Sequence, residues 1–212
     1  MILHGYWRSS AAYRVRIALN LKGLEFSQAN HDLRTGAQHS ESFRALNPQG
    51  LVPALELDGE AFTQSGAIIE LLDELYPDPP LLPREPHARA HARAMAALIA
   101  CDIHPLNNLR VLSVLRRDLS ASEDQVSDWI ARWITGGFAA LEPLIARYGG
   151  AYAFGDQPGT VDCHLVPQVY SAERFKVDLS TYSRLRAVAD HARAHPAFAA
   201  AHPSVQPDAD PA

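Results

Sequence analysis

Two adjacent hydroxyls, Ser9 and Ser10, stand between a short apolar run, Ile2 to Tyr6, and the start of a helical pattern. A serine there reads two ways. It can cap the helix by accepting a backbone N–H, the better reading for an arbitrary serine pair. It can also donate a hydrogen bond to a thiolate, with the helix start adding favourable electrostatics. Further on, Val52-Pro53 falls inside a strand pattern, where proline normally breaks the ladder. Pattern alone favours an edge strand. The alternative is a cis-proline that turns Val52 outward, freeing its N–H and C=O to pair with an extended peptide. Gln64-Ser65 opens a helix whose unpaired N–H groups suit a carboxylate. Ser65 also reads as an ordinary cap, and the two roles are compatible. Arg8, Arg110 and Arg174 are scattered, and each alone reads as a solvated surface charge. His87 and His91 lie four apart on a helical pattern, as do His191 and His195, but neither pair has a third ligand nearby. They read as structural, and no metal site is expected.

The elements that must position these residues follow from punctuation. Ala12 to Lys22 sets Val15, Ala18, Leu19 and Leu21 among basic residues and ends at Gly23, an amphipathic helix with a glycine stop. Phe26 to Asp32 is strand-like, and Ser40 to Leu46 is a short helix closed by Asn47-Pro48. Leu51 to Leu57 and Ala61 to Thr63 flank Asp58-Gly59, a hairpin signal. A helix then runs from Ser65 through Ile68, Ile69 and Leu72 to Tyr76. The order β-α-β-α-β-β-α predicts a small mixed sheet covered by helices. Pro77-Asp78-Pro79-Pro80 reads as a linker. Beyond it everything is helical: His87 to Leu115 with a bend at Pro105, then Asp124 to Tyr148 carrying Trp129, Trp133, Phe138, Leu141 and Ile145 at helical spacing. Gly136-Gly137, inside that second helix, fits close helix packing rather than a phosphate loop. Val161 to Glu173 and Leu185 to Ala194 follow. The tail from His202 holds three prolines and has little to bury, so it wraps or frays.

A chain of 212 residues, 47% hydrophobic and 20% charged, has the composition of a folded soluble protein. No stretch approaches a transmembrane helix, and the N-terminal residues lack the basic start and apolar run of a signal peptide. Cys101 and Cys163 fit neither a disulfide framework nor a metal knuckle, so a reducing, cytoplasmic home is expected. The net charge of −5 argues against non-specific nucleic-acid binding.

Ser9-Ser10 before Tyr13-Arg14-Val15-Arg16-Ile17-Ala18-Leu19 resembles the signature of the zeta-class glutathione transferases. Asn47-Pro48-Gln49, Val52-Pro53, Gln64-Ser65-x-Ala67-Ile68-Ile69-Glu70 and Asp102-Ile103-x-Pro105-Leu106-x-Asn108 resemble later blocks of the same family. So do Val166-Pro167-Gln168, the run Glu173 to Leu179, and Gln206-Pro207-Asp208. One block would be weak evidence; the ordered series from residue 8 to residue 208 is specific.

The resemblance implies a glutathione transferase fold: a thioredoxin-like α/β domain over residues 1–80 and an all-α domain over 87–212, assembled as a homodimer without membrane or nucleic-acid partners. It implies glutathione as cofactor and supports the cis reading of Pro53. Val52 would pair with the tripeptide backbone, Gln64 and Ser65 would hold its γ-glutamyl end, and Gln38 its glycine end, with Gln49 a weaker part of the lining. Ser9 takes the thiol-activating position, with Ser10 as neighbouring donor. His104 falls on a glutathione-contacting position, or is a polar residue at a helix bend. Arg8 and Arg174 would anchor the carboxylates of a maleyl-type diacid, with Arg110 and Asn108 nearby. The implied reaction is thiolate addition to a cis double bond, rotation, and release of the trans isomer with glutathione regenerated. Maleylacetoacetate and maleylpyruvate are the candidate substrates; a general conjugating transferase or a non-catalytic binding module on the same fold are the other readings. Ala11 departs from the cysteine many members carry, and Gly159 from the threonine expected three residues before Asp162, so either Gly159 or Thr160 caps the following helix.

Overall fold

The computed structural model describes residues 1–210. Its first elements are β1 (Ile2–Gly5), α1 (Ser10–Leu21), β2 (Ser27–Asn30), α2 (Glu41–Leu46), β3 (Ala54–Leu57), β4 (Glu60–Thr63) and α3 (Ser65–Leu75), the order expected from the sequence. Among the described residues the strands form one sheet in the order β2-β1-β3-β4. β1 runs parallel to β2 and antiparallel to β3, and β3 antiparallel to β4. Register places Leu3 opposite Leu55 and Leu55 opposite Phe62. Leu3 and Leu55 are buried with Val15, Ile17, Leu19, Ile68, Ile69 and Leu72, so this core lies between sheet, α1 and α3. Successive strand residues face opposite ways, so His4 and Glu56 share the other face. There His4 bonds Glu56 and, at 3.0 Å, His31, while the ring of Phe43 from α2 packs on His31. Burial and the neighbouring His4 hold the His31 imidazole below its ordinary pKa.

Local chemistry sets the ends. Gly23 has φ +64°, a left-handed stop for α1, and Asp58 and Gly59 at +53° and +85° make the tight turn between β3 and β4. Two expectations change. Pro53 is not on an edge strand: it immediately precedes β3, which pairs on both sides, and the Val52–Pro53 peptide is cis. Nor is α1 half solvated, because Arg14 and Arg16 are only 2% and 1% exposed and the helix is buried from Ala12 to Leu19. Lys22 closes the far end by donating to the carboxylate of Asp73 and the carbonyls of Tyr76 and Pro79, so the proline stretch is tied to α3.

The remaining elements are α4 (Pro86–Ala97), α5 (Leu109–Arg117), α6 (Glu123–Tyr148), α7 (Thr160–Arg174), α8 (Ser183–Arg193) and α9 (Pro196–Ala201). The bend expected at Pro105 is broader. The chain passes through a π-helical turn, Leu98–Ile103, and a 3-10 turn, His104–Asn107, before Asn108 caps α5. α6 starts on a capping box in which Ser122 and Gln125 each accept the other's backbone N–H. Its buried seam is Val126, Ile130, Ile134, Phe138, Leu141 and Ile145; Trp133 is exposed, and Trp129 donates to the Leu106 carbonyl at 2.8 Å. A Cβ on Gly137 would lie 2.2 Å from Ile103 Cδ1, so this glycine lets α6 approach the π-turn, whereas Gly136 faces open space. α7 is capped at Gly159, with Asp162 accepting the Gly159 N–H at 3.0 Å.

The chain separates into two compact units. One is Met1–Leu82 together with the chain from Arg193 onward; the other is Pro83–Ala192. The tail wraps. α9 packs on α1, Gln206 is buried, and Gln28 donates to the Gln206 side chain at 3.0 Å. This return is absent from a linear division at residues 80 and 87.

Candidate functional site

Arg8, Ser9, Ser10, Gln38, Gln49, Val52, Pro53, Gln64 and Ser65 fall on the first unit. His104, Asn108, Arg110 and Arg174 fall on the second.

On the first unit, Ser9 ends the loop between β1 and α1. Its hydroxyl oxygen accepts the Ala12 N–H at 3.2 Å, the cap expected from its position. Accepting uses a lone pair and leaves the hydroxyl proton to donate elsewhere, so the cap is compatible with the donor reading. Ser10 is the first helical residue and is buried. Ser65 differs from expectation. It is the first residue of α3, not its cap; that place belongs to Gln64, at φ +68° and with no capping bond from its side chain. The Ser65 hydroxyl instead accepts from Arg14 Nη1 at 3.2 Å. Arg14 thus links α1 to the first residue of α3, a role the sequence did not disclose. An arginine with no acid four residues away on its own helix was the available signal.

The first intrahelical bond of α3 runs from the Ile68 N–H to the Gln64 carbonyl, leaving the N–H groups of Ser65, Gly66 and Ala67 ahead of the ladder. Gln64 Nε2 donates to Gln49 Oε1 at 2.8 Å, so the two glutamines adjoin at the surface. Asn47 shapes the intervening loop by donating to the Leu51 carbonyl and accepting the Gln49 N–H. Among the described residues the Val52 N–H and C=O have no backbone partner. Gln38 is buried beside this loop: a Cβ on Gly50 would meet the Gln38 carbonyl at 3.2 Å, and Gly50 has φ +63°. The Gln38 Oε1 is buried with no partner among the described residues. This ledge therefore offers backbone pairing at Val52, amide groups at Gln49 and Gln64, and helix N–H donors at α3. Such a set holds an extended peptide by its main chain and a carboxylate at one end. Arg8 is half-buried with its guanidinium 5.3 Å from the Trp7 ring centre. Burial raises the Tyr6 phenol above its ordinary pKa, while Arg8 and Arg34 pull it the other way.

On the second unit, Asn108 is the N-cap of α5, accepting the Arg110 N–H at 3.2 Å. Arg110 is an exposed cation in the first turn of that helix, where the dipole disfavours positive charge by roughly 0.3–1 kcal/mol. Helix chemistry gives no reason for an arginine there. Arg174 closes α7, where a cation is favourable, and lies 4.4 Å from the Phe175 ring centre. His104 opens the 3-10 turn and is half-buried. His91 stacks on Tyr148 and His195 caps α9, which accounts for one histidine of each pair. Among the described residues no three His, Cys, Asp or Glu side chains converge as a metal set, and no helix is long and apolar enough to cross a membrane.

The sequence profile of the glutathione S-transferase N-terminal domain matches residues 3–80. Maleylacetoacetate isomerase of Pseudomonas aeruginosa is 53% identical over 211 residues, 98% of each chain. The solved holo structure of a maleyl pyruvate isomerase, a bacterial zeta-class glutathione S-transferase, matches with a TM-score of 0.97 at 46% identity, covering 99% of this chain and 100% of that one. Maleylacetoacetate isomerase from Methylobacterium extorquens, solved with bound malonate and GSH, matches with a TM-score of 0.95 at 38% identity over 100% of both chains. Identity of this order from end to end, on the same fold, makes the chain a member of the zeta-class glutathione transferase family.

Proposed function

We propose that the protein is a glutathione-dependent cis–trans isomerase of a maleyl-type diacid, with maleylacetoacetate as its substrate. The observation that carries this reading is the ledge on the first unit. Val52, whose backbone groups have no backbone partner among the described residues, stands on the loop before β3; the Ser9 hydroxyl and the start of α3 stand on helices that Arg14 ties together. The ledge fits glutathione in chemistry. Val52 pairs with the tripeptide main chain beside Pro53, and Gln64 with Ser65 holds the γ-glutamyl carboxylate. Gln38, whose amide oxygen is buried without a partner among the described residues, stands at the glycine end, with Gln49 beside it.

Bound glutathione supplies a thiolate able to add reversibly to an activated cis double bond. A free thiol titrates near ~8.5, so little of it is ionised at neutral pH. Ser9, already oriented by its cap bond, donates its proton toward the sulfur and favours the anion; Ser10 and the positive end of α1 assist. Arg8 and Arg174 bind the two carboxylates of the substrate, with Arg110 as further positive charge, and His104 and Asn108 line the cofactor. Holding both ends of the diacid fixes the double bond for attack. Assembly as a cytoplasmic homodimer completes the reading.

The maleyl pyruvate isomerase match supports maleylpyruvate as a second candidate substrate. Purified protein assayed with maleylacetone and with maleylpyruvate, with and without glutathione, tests both. The expected result is isomerisation that requires glutathione and leaves its concentration unchanged, faster on the acetoacetate-type substrate. Faster turnover of maleylpyruvate would exchange the two substrates. Net loss of glutathione with an adduct as product would replace isomerisation by conjugation.

A further inference from the structure

The residues Tyr6-Trp7-Arg8-Ser9 form a tight turn closed by the Ser9 N–H on the Tyr6 carbonyl at 2.9 Å. The turn carries the proposed substrate anchor Arg8 and ends on the proposed thiol activator Ser9. Both backbone groups of Trp7, at its second position, are held from outside. The Trp7 N–H donates to Asp208 Oδ2 at 2.9 Å, and the Trp7 carbonyl accepts from Arg16 Nη2 at 2.9 Å. Arg16 in turn donates from Nε to the Ala201 carbonyl at 3.1 Å. One hold is thus direct and the other passes through a buried guanidinium, but both end on the last segment of the chain. That segment has its own moorings. Arg34 donates from Nη1 to both oxygens of Asp210 at 2.9 Å while also pairing with Asp32. Gln206 donates to the carbonyls of Ala200 and His202.

We propose that Asp208 is a positioning residue for the isomerisation: its carboxylate clamps the Trp7 amide and so sets where Arg8 presents its guanidinium to the diacid. The inference rests on the assignment of Arg8 as a carboxylate anchor. A hydrogen bond from a backbone N–H to a charged acceptor is strong and directional, and Trp7 lies next to Arg8 in the chain. Losing it frees the turn to sample other positions. The charge on Asp208 itself is not needed; an acceptor at that place is.

Asp208→Ala should raise KM for the diacid about fivefold, because only part of the ~1.5–3 kcal/mol of a hydrogen bond to a charged group is passed on through Arg8. kcat should change less, and glutathione affinity measured by calorimetry should stay within about twofold, because no clamp bond touches Val52, Gln64 or Ser65. Asp208→Asn keeps an oxygen acceptor and should restore KM to near wild type. In the Asp208→Ala/Arg8→Ala double variant KM should be no higher than in Arg8→Ala alone, since the clamp acts through Arg8. If Asp208→Ala does not fold, Arg34→Gln loosens the tail at the exposed Asp210 and should raise the same KM. An unchanged KM in Asp208→Ala, beside a raised one in Arg8→Ala, overturns the clamp and spares the anchor. So does equal loss in kcat and glutathione affinity, which a merely structural role would give. An unchanged KM in Arg8→Ala overturns both.

Discussion

Ser9 joins two requirements in one side chain, because its oxygen accepts the Ala12 N–H while its proton remains to be given. The two can be separated. Ser9→Ala removes both, and should lower stability by about 1 kcal/mol through the lost cap and kcat/KM by ten- to hundredfold through a lost hydrogen bond to a charged group, worth ~1.5–3 kcal/mol. Ser9→Gly caps almost as well as serine, within a few tenths of a kcal/mol, yet has no hydroxyl. It should show the same catalytic loss in a glutathione-dependent assay with near-normal unfolding in denaturant. Full activity in Ser9→Gly would take the hydroxyl out of the mechanism. At this scale the sequence was informative about residue types and less so about partners. Ser9 was legible because a serine before a helix has few things to do. Arg14 and Arg16 were not, because their acceptors, the Ser65 hydroxyl and the Trp7 carbonyl, lie on other elements.

Among the elements, α7 has the most unusual start. Asp162 is fully buried. One oxygen accepts the Ala153 N–H at 2.8 Å and the other the Gly159 N–H, yet burial outweighs both and pushes its pKa up to about 6. A carboxyl that binds its proton more tightly folded than unfolded adds stability that is complete below about pH 4 and lost as pH rises through 6; a shift of this size corresponds to about 3 kcal/mol. Asp32, Glu85, Glu123 and Asp178 work in the opposite sense, since hydrogen bonds hold each below its ordinary range and that stability is lost on acidification. The comparison with Asp162→Asn isolates the buried group. The variant should be less stable throughout, from the unfilled N–H, and its deficit should shrink between pH 4 and pH 7 in denaturant unfolding. A deficit independent of pH would show that Asp162 keeps one charge state across that range. Helix stops and turns were legible here: Gly23, Asp58-Gly59 and Ser122 stand where local chemistry needs them. The choice between Gly159 and Thr160 was not, because it depends on the contact of Asp162 with Ala153. The π-helical and 3-10 turns from Leu98 to Asn107 were also hidden, and there Gly137 of another helix comes close to Ile103.

For the molecule as a whole, net charge and the chemistry of a dianionic substrate pull in opposite directions. A chain at −5 repels a diacid at long range, whereas the arginines proposed as its anchors, Arg8 and Arg174 with Arg110, would attract it locally. Salt screens both, with a Debye length near ~10 Å at 0.1 M. If the arginines govern encounter, kcat/KM for the diacid should fall severalfold between about 0.05 and 0.5 M salt. A rise over that range would mean that net repulsion dominates and that the arginines do not receive the substrate. The two-part plan of the chain was legible, because a mixed α/β pattern gives way to helices alone. Membership of the last segment was not: nothing in Gln206-Pro207-Asp208 says that its partners are Gln28 and Trp7.

That membership has a bearing on how the protein is made. The unit that holds β1 and α1 also holds the chain from Arg193 onward, and every residue of the other unit is translated in between. A nascent chain that has not yet reached Arg193 presents α1 without α9 against it and Trp7 without its acceptor. During translation the helical unit can therefore close before the unit that holds α1, and the loop of Trp7 takes its final form only once Asp208 has emerged.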